Sequence, residues 1–376
     1  MSSGVGIKQV AWFDCPGSGQ VVVDGNFAYL GHMEAPYGTM IVDVADPKNP
    51  KKVAEVEIPR GVHSHKVRAA NGLMVVNREH HGKPAEGQKP GPGGILIYDV
   101  SNPRQPKEIT HWRCDGSGVH RFTFDGRYAY ISPEVEGYVG NIVMILDLAD
   151  PAHPKEVGRW WLPGQWRAGG ETASWRGRAH RCHHPIRGGD RLYVSYWHGG
   201  VIILDISDMA KPKMVSQIDW SPPFPWPTHS AVPLERTLNG RRYMLVADED
   251  VMPMDPEMAP EMSAFIWMVD ITDEKHPMPV GSYQVPGVEG KRNPQMTGCH
   301  QPIETITGTE VPVAWFAQGM RLLDLSNPHA IKEIGSWMPD PAPGETRVCS
   351  NDIYQDSRGL IYLCDRVRGL SILERA

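Results

Sequence analysis

The sequence lacks any apolar run of about 18 residues, the length that a transmembrane helix requires. Its N-terminus also lacks a basic segment followed by an apolar one, so no secretory signal is expected. None of the 6 cysteines lies in a Cys-x-x-Cys pair, which favours reduced thiols over a disulfide framework. These absences predict a cytoplasmic protein with no membrane partner.

An excess of positive charge is also missing. The chain has 38 Lys and Arg residues against 44 Asp and Glu residues, for a formal net charge of −6. This balance disfavours a nucleic-acid partner. Residues that break regular backbone are abundant instead, with 39 glycines and 34 prolines. Their number favours many short elements joined by turns over a helical bundle.

A repeated segment predicts the architecture. Each copy has two apolar residues, an aspartate, another apolar residue and a turn that usually contains proline. Such β-branched runs, closed by Asn-Pro or Asp-Pro turns, are typical of strands. The aspartates of the six copies are Asp43, Asp99, Asp147, Asp205, Asp270 and Asp324.

A hairpin precedes each repeat aspartate, as in VVVDGNFAYLG and FTFDGRYAYIS. Each unit is therefore four antiparallel strands, which make a propeller blade when they are repeated radially. The last unit, within residues 349–376, ends at its third strand, and the segment 7–17 matches the fourth strands of the other units. We predict an all-β, seven-bladed β-propeller that forms a single domain over residues 1–376. The N-terminal strand 7–17 completes the last blade and closes the ring.

The repeats resemble the LVIVD-repeat family through motifs such as Ile41-Val42-Asp43-Val44. The resemblance covers nearly the whole chain; it implies the propeller architecture and carries no chemistry. The sixth copy departs from the pattern, because Ile331 stands where the other copies have their second proline. A shorter segment, SYWHGGVIILDISDMAKP, is similar to part of the selenium-binding protein (methanethiol oxidase) propellers.

Histidines recur at the start of the first strand in blades two to six. The segments are GVHSHKV, GVHRFTF, AHRCHHPI, PTHSAV and GCHQPI. First strands line the channel of a propeller, so residues at one position of successive blades are expected to face each other at one mouth. The predicted members of this histidine column are His65, His120, His183, His229 and His300.

Five converging imidazoles predict a metal ion. Neutral imidazole binds iron, copper, zinc and nickel, and an open coordination position is typical of a catalytic site. We expect one iron or copper ion, with zinc or manganese as alternatives, in an oxidase or oxygenase that acts on a small organic molecule. A metal-assisted lyase or hydrolase is the next hypothesis. A non-catalytic binding scaffold, whose histidines line a solvated channel, is the third.

Carboxylates at the ends of second strands are expected at the same mouth. Glu34 and Glu134 are candidates for proton transfer or for orienting a ligand, and solvated loop acids are the other interpretation. Cys182 and Cys299 each precede a column histidine. Neighbours on a strand point to opposite sides, so we expect these two cysteines to pack between blades.

Three long loops, at 82–94, 162–179 and 251–262, are expected to cover this mouth. The second loop contributes Trp166, Arg167 and Trp175, which together with His184 are candidates for binding an aromatic or anionic substrate. A packed cover without a ligand is the alternative. The four methionines of the third loop either fill packing gaps or bind copper(I).

Overall fold

The computed structural model describes residues 3–81, 92–175, 179–249, 263–288 and 296–376. Within these ranges every regular element is a β-strand. No helix in the described part of the chain is long and apolar enough to span a bilayer. The predicted loop 251–262, most of the loop 82–94 and residues 176–178 of the loop 162–179 lie outside the described residues.

The strands are numbered in chain order. The first fifteen are β1 (Ser3–Val5), β2 (Ile7–Phe13), β3 (Ser18–Asp24), β4 (Phe27–His32), β5 (Tyr37–Asp43), β6 (Lys51–Glu57), β7 (Val62–His63), β8 (Val67–Ala70), β9 (Leu73–His80), β10 (Gly93–Asp99), β11 (Lys107–Cys114), β12 (Val119–Phe124), β13 (Tyr128–Pro133), β14 (Val143–Asp147) and β15 (Lys155–Trp160). The others are β16 (His180–Gly188), β17 (Arg191–Trp197), β18 (Val201–Asp205), β19 (Lys213–Ile218), β20 (Thr228–Pro233), β21 (Tyr243–Asp248), β22 (Ile266–Asp270), β23 (Met278–Tyr283), β24 (Gln301–Pro302), β25 (Glu310–Ala314), β26 (Met320–Asp324), β27 (Lys332–Met338), β28 (Ser350–Gln355), β29 (Ile361–Asp365) and β30 (Gly369–Arg375).

The chain divides into two compact units. The unit that we call the N-terminal unit consists of Gly17–Leu192 and Asp205–Lys213. The C-terminal unit consists of Met1–Pro16, Tyr193–Leu204 and Met214–Ala376.

The N-terminal unit contains three antiparallel sheets of repeat type. Their strand orders are β3-β4-β5-β6, β11-β10-β9 with both β7 and β8 paired to β9, and β12-β13-β14-β15. The second and third sheets share a core of buried aliphatic and aromatic side chains. This core includes Val75, Ile97, Phe122, Ile131 and Leu146. The second and third sheets thus bury apolar side chains against each other.

The C-terminal unit repeats the pattern. Strands β20-β21-β22-β23 follow one another in a sheet that also contains β17, β18 and β19. The next sheet has the order β1-β27-β26-β25-β24. The last sheet, β2-β30-β29-β28, takes its fourth strand from the N-terminus, and Ile7 pairs with Arg375 at one end and Phe13 with Leu370 at the other. The predicted pairing of the N-terminal strand with the last unit is therefore present.

The repeat aspartate ends the third strand of each unit and closes the turn that follows. In every copy its Oδ1 accepts the backbone N–H two residues later, from Ala45, Ser101, Ala149, Ser207, Thr272 and Ser326 in turn. Aspartate is suited to this position because its short carboxylate reaches the N–H at i+2. The prediction of an all-β chain built from four-stranded antiparallel sheets is confirmed.

Candidate metal centre

β-Bulges place the column residues. In four of the repeat units, the pairing between the first and second strands shifts register at one position. There the first strand has one residue more than its partner. The residues left out of the ladder include Gly19 in β3, His120 in β12, His229 in β20 and Asn351 in β28. Bulges redirect side chains and are frequent beside active sites. The bulges explain why the side chain at one position of the repeat does not follow the usual alternation of side chains between the two faces of a strand.

His65 occupies the corresponding position in the second sheet, in the break between β7 and β8. The backbone there is packed closely against the first sheet. A Cβ atom added to Gly19 would lie 2.6 Å from the Cβ of His65, and one on Gly31 would lie 2.7 Å from the His65 carbonyl oxygen. These two glycines therefore leave the room that the His65 backbone requires.

Five histidines of the N-terminal unit lie side by side, and we call them the histidine row. Their order is His81, His63, His65, His120 and His183, and successive ring centroids are 4.7, 3.8, 5.3 and 4.9 Å apart. The row brings together three of the predicted column members. It also includes His63, which the sequence argument did not choose as a ligand.

Glu79 is the carboxylate that contacts this row. Its two oxygens lie 3.0 and 2.9 Å from Nδ1 of His120. On its other side Glu79 pairs with His63 across β9 and β7. Potential ligand atoms of Glu79, His63 and His65 all lie within 4.8 Å of one another, which is close enough to share a metal ion.

Hydrogen bonds orient two of the imidazoles. Nδ1 of His63 donates to the backbone oxygen of Met33 at 2.6 Å, and Nδ1 of His120 donates to Glu79. A carboxylate or carbonyl oxygen can only accept, so the Nδ1 atoms carry the protons and the Nε2 atoms carry the lone pairs. Nε2 of His120 lies 3.1 Å from Nε2 of His183. Metal-binding histidines are commonly oriented by acceptors of this kind.

Burial keeps the imidazoles in their neutral form. It lowers the pKa of His63 to about 3, although the charge of Glu79 acts in the opposite direction. Burial also lowers the pKa of His65 and of His120. For Glu79, burial raises the pKa, but the interaction with His120, which includes their hydrogen bond, outweighs that effect, and the pKa lies below its ordinary value. Neutral imidazole and ionised carboxylate are the forms that bind metal ions.

Basic side chains lie next to the row. Lys66, Arg68 and Arg121 are all buried, and so is His184. Burial lowers the pKa of His184 well below its ordinary value, and the charges of the three basic residues lower it further. The predicted substrate-binding residue His184 is therefore buried near positively charged groups, and its binding of substrate stays a prediction.

The C-terminal unit holds the other two column histidines together with a second carboxylate. The rings of His229 and His300 are 4.0 Å apart. Glu249 lies between them, with one oxygen 3.9 Å from Nε2 of His229 and the other 3.5 Å from Nε2 of His300. The structure thus brings His65 and His120 close to Glu79, and His229 and His300 close to Glu249.

The carboxylates predicted for proton transfer lie elsewhere in the loops. Glu34 is exposed in the turn between β4 and β5. Glu134 is half-buried, and its Oε2 accepts the backbone N–H of Ser117 at 2.7 Å. Their catalytic role stays a prediction. Glu79 and Glu249 have the contacts with histidine that the sequence argument expected of such residues.

The aromatic residues predicted to bind substrate pack locally. Trp166 is 39% exposed and stacks on Tyr138, at 6.4 Å between centroids, with the edge of Trp161 5.6 Å away. Trp175 stacks on His180 at 4.7 Å. Arg167 is exposed. Binding of substrate by these residues stays a prediction.

All six cysteines lie in described segments, and no disulfide joins any two of them. Cys182 and Cys299 are fully buried. Burial raises the pKa of the Cys182 thiol, which disfavours the thiolate that metal ions bind. Both thiols are buried, and the packing of these cysteines between blades stays a prediction.

Three residues of these clusters, Glu79, Glu249 and His63, are not among the ligands and proton-transfer residues predicted from the sequence. Glu79 is the second-last residue of β9, which is the second strand of its unit. Glu249 directly follows β21, the second strand of another unit. The signal was therefore present, because both carboxylates occur where a second strand ends beside a column position. This signal does not distinguish Glu79 and Glu249 from the other acidic residues at the ends of second strands, because the distance from a carboxylate to an imidazole depends on the bulges.

Comparison with known proteins supports the repeat architecture. The LVIVD repeat model matches residues 17–57, 123–161 and 188–219, so the chain carries LVIVD repeats in these segments. No curated protein matches the sequence.

Solved structures share the fold at low identity. A protein from Lactobacillus plantarum is 13% identical, with a TM-score of 0.58 and 100% of both chains covered. Sqt1 from Saccharomyces cerevisiae is 9% identical, with a TM-score of 0.55 and 98% of both chains covered. The computationally designed protein Ika8 is 7% identical over 98% of this chain and 99% of its own, with a TM-score of 0.54. These similarities concern the fold alone.

Proposed function

We propose that this protein is a metal-dependent oxidoreductase, an oxidase or oxygenase of a small organic molecule. In this proposal His120 and His183 hold the ion, His65 lies beside His120 in the row, and Glu79 orients His120. The observation that carries the proposal is the approach of His120 Nε2 to His183 Nε2 at 3.1 Å, while Glu79 holds the opposite nitrogen of His120.

The nitrogen–nitrogen distance supports a shared ion. Imidazole nitrogens bind ions such as zinc at about 2.0–2.1 Å, so two of them on one ion lie roughly 3–3.4 Å apart. The 3.1 Å between His120 and His183 falls in this range. A hydrogen bond between the two neutral rings would have a similar length, and metal analysis distinguishes the two cases.

The donor set supports redox chemistry. Neutral imidazoles suit iron and copper, which we prefer, as well as zinc and manganese. Iron or copper supplies, when bound, a one-electron redox centre with positions open to substrate. His120 is kept in its Nδ1-protonated form by Glu79, so its Nε2 lone pair stays directed away from Glu79.

The surroundings support an anionic substrate. Lys66, Arg68 and Arg121 place positive charge inside the unit, close to His184. Buried positive charge attracts a carboxylate or similar group more strongly than surface charge does, because screening by water is weaker there. We therefore favour a small organic anion over a neutral molecule.

The scaffold for this site is, in our proposal, a propeller of seven blades whose last blade is completed by β2. The pairing of β2 with β30 and the recurrence of the same bulge in four first strands support it. The prediction of a single domain over residues 1–376 is retained with it.

Metal analysis tests the proposal. Protein produced without a His-tag or chelator is compared with the His120→Ala/His183→Ala double variant by plasma mass spectrometry. The control is His276→Ala, whose side chain is 81% exposed in the ion pair with Asp273. We expect iron or copper in the wild type and the control, and one ion fewer per chain in the double variant.

Other outcomes separate the alternatives. Zinc or manganese lost in the same way would favour a lyase or hydrolase. Equal metal content in folded wild type and double variant would contradict the proposal. Folded wild type without any metal would leave the propeller as a binding scaffold.

A further inference from the structure

The end of the row formed by His63 and His65 meets a carboxylate within the N-terminal unit. The chain there is extended, since Ser64 forms an antiparallel β-bridge with His32. Residues two apart on an extended chain face the same side, and the ring centroids of His63 and His65 lie 3.8 Å apart. Glu79 pairs directly with His63 across β9 and β7, so its side chain lies on that side as well. Two imidazoles and one carboxylate are therefore neighbours.

The distances within this group fit a shared ion. One potential ligand atom from each of His63, His65 and Glu79 lies within 4.8 Å of the other two. Two donors that each lie about 2.1 Å from one ion are roughly 3–4 Å apart. The upper limit in the structure is slightly larger than this range, so small side-chain rotations are enough to bring the three atoms onto one ion.

A buried nitrogen of His65 points to a ligand at this place. His65 is only 4% exposed, and its Nδ1 has no hydrogen-bond partner among the described residues. A polar atom that leaves water without gaining a new partner is destabilising, whether it is a donor or an acceptor. An ion bound at Nδ1 gives this nitrogen a partner and removes that cost.

The other contacts of His63 and Glu79 leave lone pairs for an ion. Nδ1–H of His63 donates to the backbone oxygen of Met33 at 2.6 Å, so the lone pair is on Nε2. Glu79 accepts Nδ1–H of His120 at 2.9 Å. A carboxylate has about four lone-pair positions, so Glu79 can bind an ion while it orients His120. A backbone acceptor behind one ligand and a hydrogen bond to another are common around metal ions.

We infer that His63, His65 and Glu79 hold a second ion, which makes the site of the proposed function a two-metal centre. The inference rests on the proposed function, because the first ion is the one that His120 and His183 hold. The ring of His120 separates the two positions, since Glu79 contacts its Nδ1 and His183 contacts its Nε2. Two imidazoles and one carboxylate suit divalent iron, zinc and manganese. The second position therefore takes a divalent first-row ion.

Zinc stoichiometry tests the second ion in the full-length protein. Metal-depleted protein is titrated with Zn²⁺ alone, the bound zinc is counted by mass spectrometry, and the fold is checked by circular dichroism. His63→Gln removes a ligand of the second ion and none of the first, and His65→Gln is the variant to use if His63→Gln does not fold. The matched control is His276→Gln, whose side chain is 81% exposed. We expect two zinc ions per chain in the wild type and the control, and one in each site variant.

Comparison with the His120→Ala/His183→Ala variant separates this inference from the proposed function. That variant is expected to retain one zinc ion, the one bound by Glu79. If it keeps two ions while His63→Gln keeps one, the proposed function fails and the ion at His63 stands. A single ion in the wild type that the double variant loses would overturn the second ion and leave the proposed function intact. An unchanged count in folded His63→Gln would also overturn the second ion.

Discussion

The carboxylate of Glu79 holds the imidazole of His120 at Nδ1, with oxygen distances of 2.9 and 3.0 Å. The partners come from neighbouring sheets of the N-terminal unit, Glu79 from β9 and His120 from the bulge of β12. The contact fixes the protonated nitrogen of His120 and leaves the other nitrogen facing His183. It therefore links a structural irregularity, the bulge, to the chemistry of the proposed site.

Glu79→Gln tests this contact. The amide can still accept a hydrogen bond from His120, but it carries no negative charge, so the basicity of the imidazole falls. We expect metal affinity to fall about 10- to 100-fold, as is usual when such an orienting partner is changed. The measurement is competition with a chelator of known affinity.

A matched change in a nearby acid controls for net charge. Glu136 is exposed in the turn after β13, so Glu136→Gln is expected to bind metal as the wild type does. Equal affinities of Glu79→Gln and wild type would show that Glu79 neither binds nor orients a ligand.

The repeat aspartates are expected to stabilise their turns. Asp270 is 6% exposed, accepts the N–H of Thr272 at 2.9 Å and pairs with Arg241. Asp270→Ala removes both interactions and should lower the free energy of unfolding by about 1–2 kcal/mol. Asp270→Asn should cost less, because its amide oxygen still accepts from Thr272. Urea unfolding measures the free energy of unfolding of both variants. An equal decrease in the two variants would show that the ion pair with Arg241, rather than the hydrogen bond from Thr272, provides the stabilisation.

His111 is expected to make the protein sensitive to acid. Burial, followed by the charges of Arg78 and Arg113, lowers its pKa from the ordinary 6.5 to about 4. Between these values the unfolded chain binds a proton that the folded chain does not, so stability falls as the pH decreases from about 6.5 to about 4. His111→Gln should therefore lose less stability than the wild type between pH 7.5 and pH 4.5.

The check on His111 is urea unfolding at both pH values. His276→Gln serves as the control, since that side chain is 81% exposed, and it should lose as much stability as the wild type. A His111→Gln variant as acid-sensitive as the wild type would mean that other groups cause the loss.

The N-terminal strand is expected to be required by the last sheet. Residues Ile7–Phe13 pair with β30, and the indole of Trp12 lies 3.7 Å from the guanidinium of Arg368 and donates to the Arg368 backbone oxygen at 2.8 Å. Deletion of residues 1–13 would expose the N–H and C=O groups of β30, an edge that pairs readily with other chains. We expect Tm to fall by roughly 5 °C or more and oligomers to appear in light scattering. An unchanged Tm with a monomeric variant would contradict the prediction.

Much of the local structure could be predicted from single segments of sequence. The repeat aspartates predict turns, and each of the six accepts the expected N–H. The histidine column could be predicted as well, because its members recur at a fixed place in the repeat. His120 and His229 do occupy equivalent bulges in their strands.

The carboxylates could not be chosen in the same way. Glu34, Glu79, Glu134 and Glu249 all occur near the ends of second strands. Only the bulges and loop directions decide which of them reaches an imidazole: Glu79 contacts His120, whereas Glu34 is exposed. Such differences depend on packing between sheets, which no local pattern contains.

Local sequence was enough to predict the class of fold and the position of the histidines within each repeat, because strand alternation and Asx turns depend on neighbouring residues. The tertiary structure alone decided which groups share a site. It placed Glu79 against His120, set Glu249 between His229 and His300, and buried Lys66 and Arg121 beside the row. The physical reason is that ligand geometry and the pKa values depend on distances and burial, which arise when separate sheets pack together.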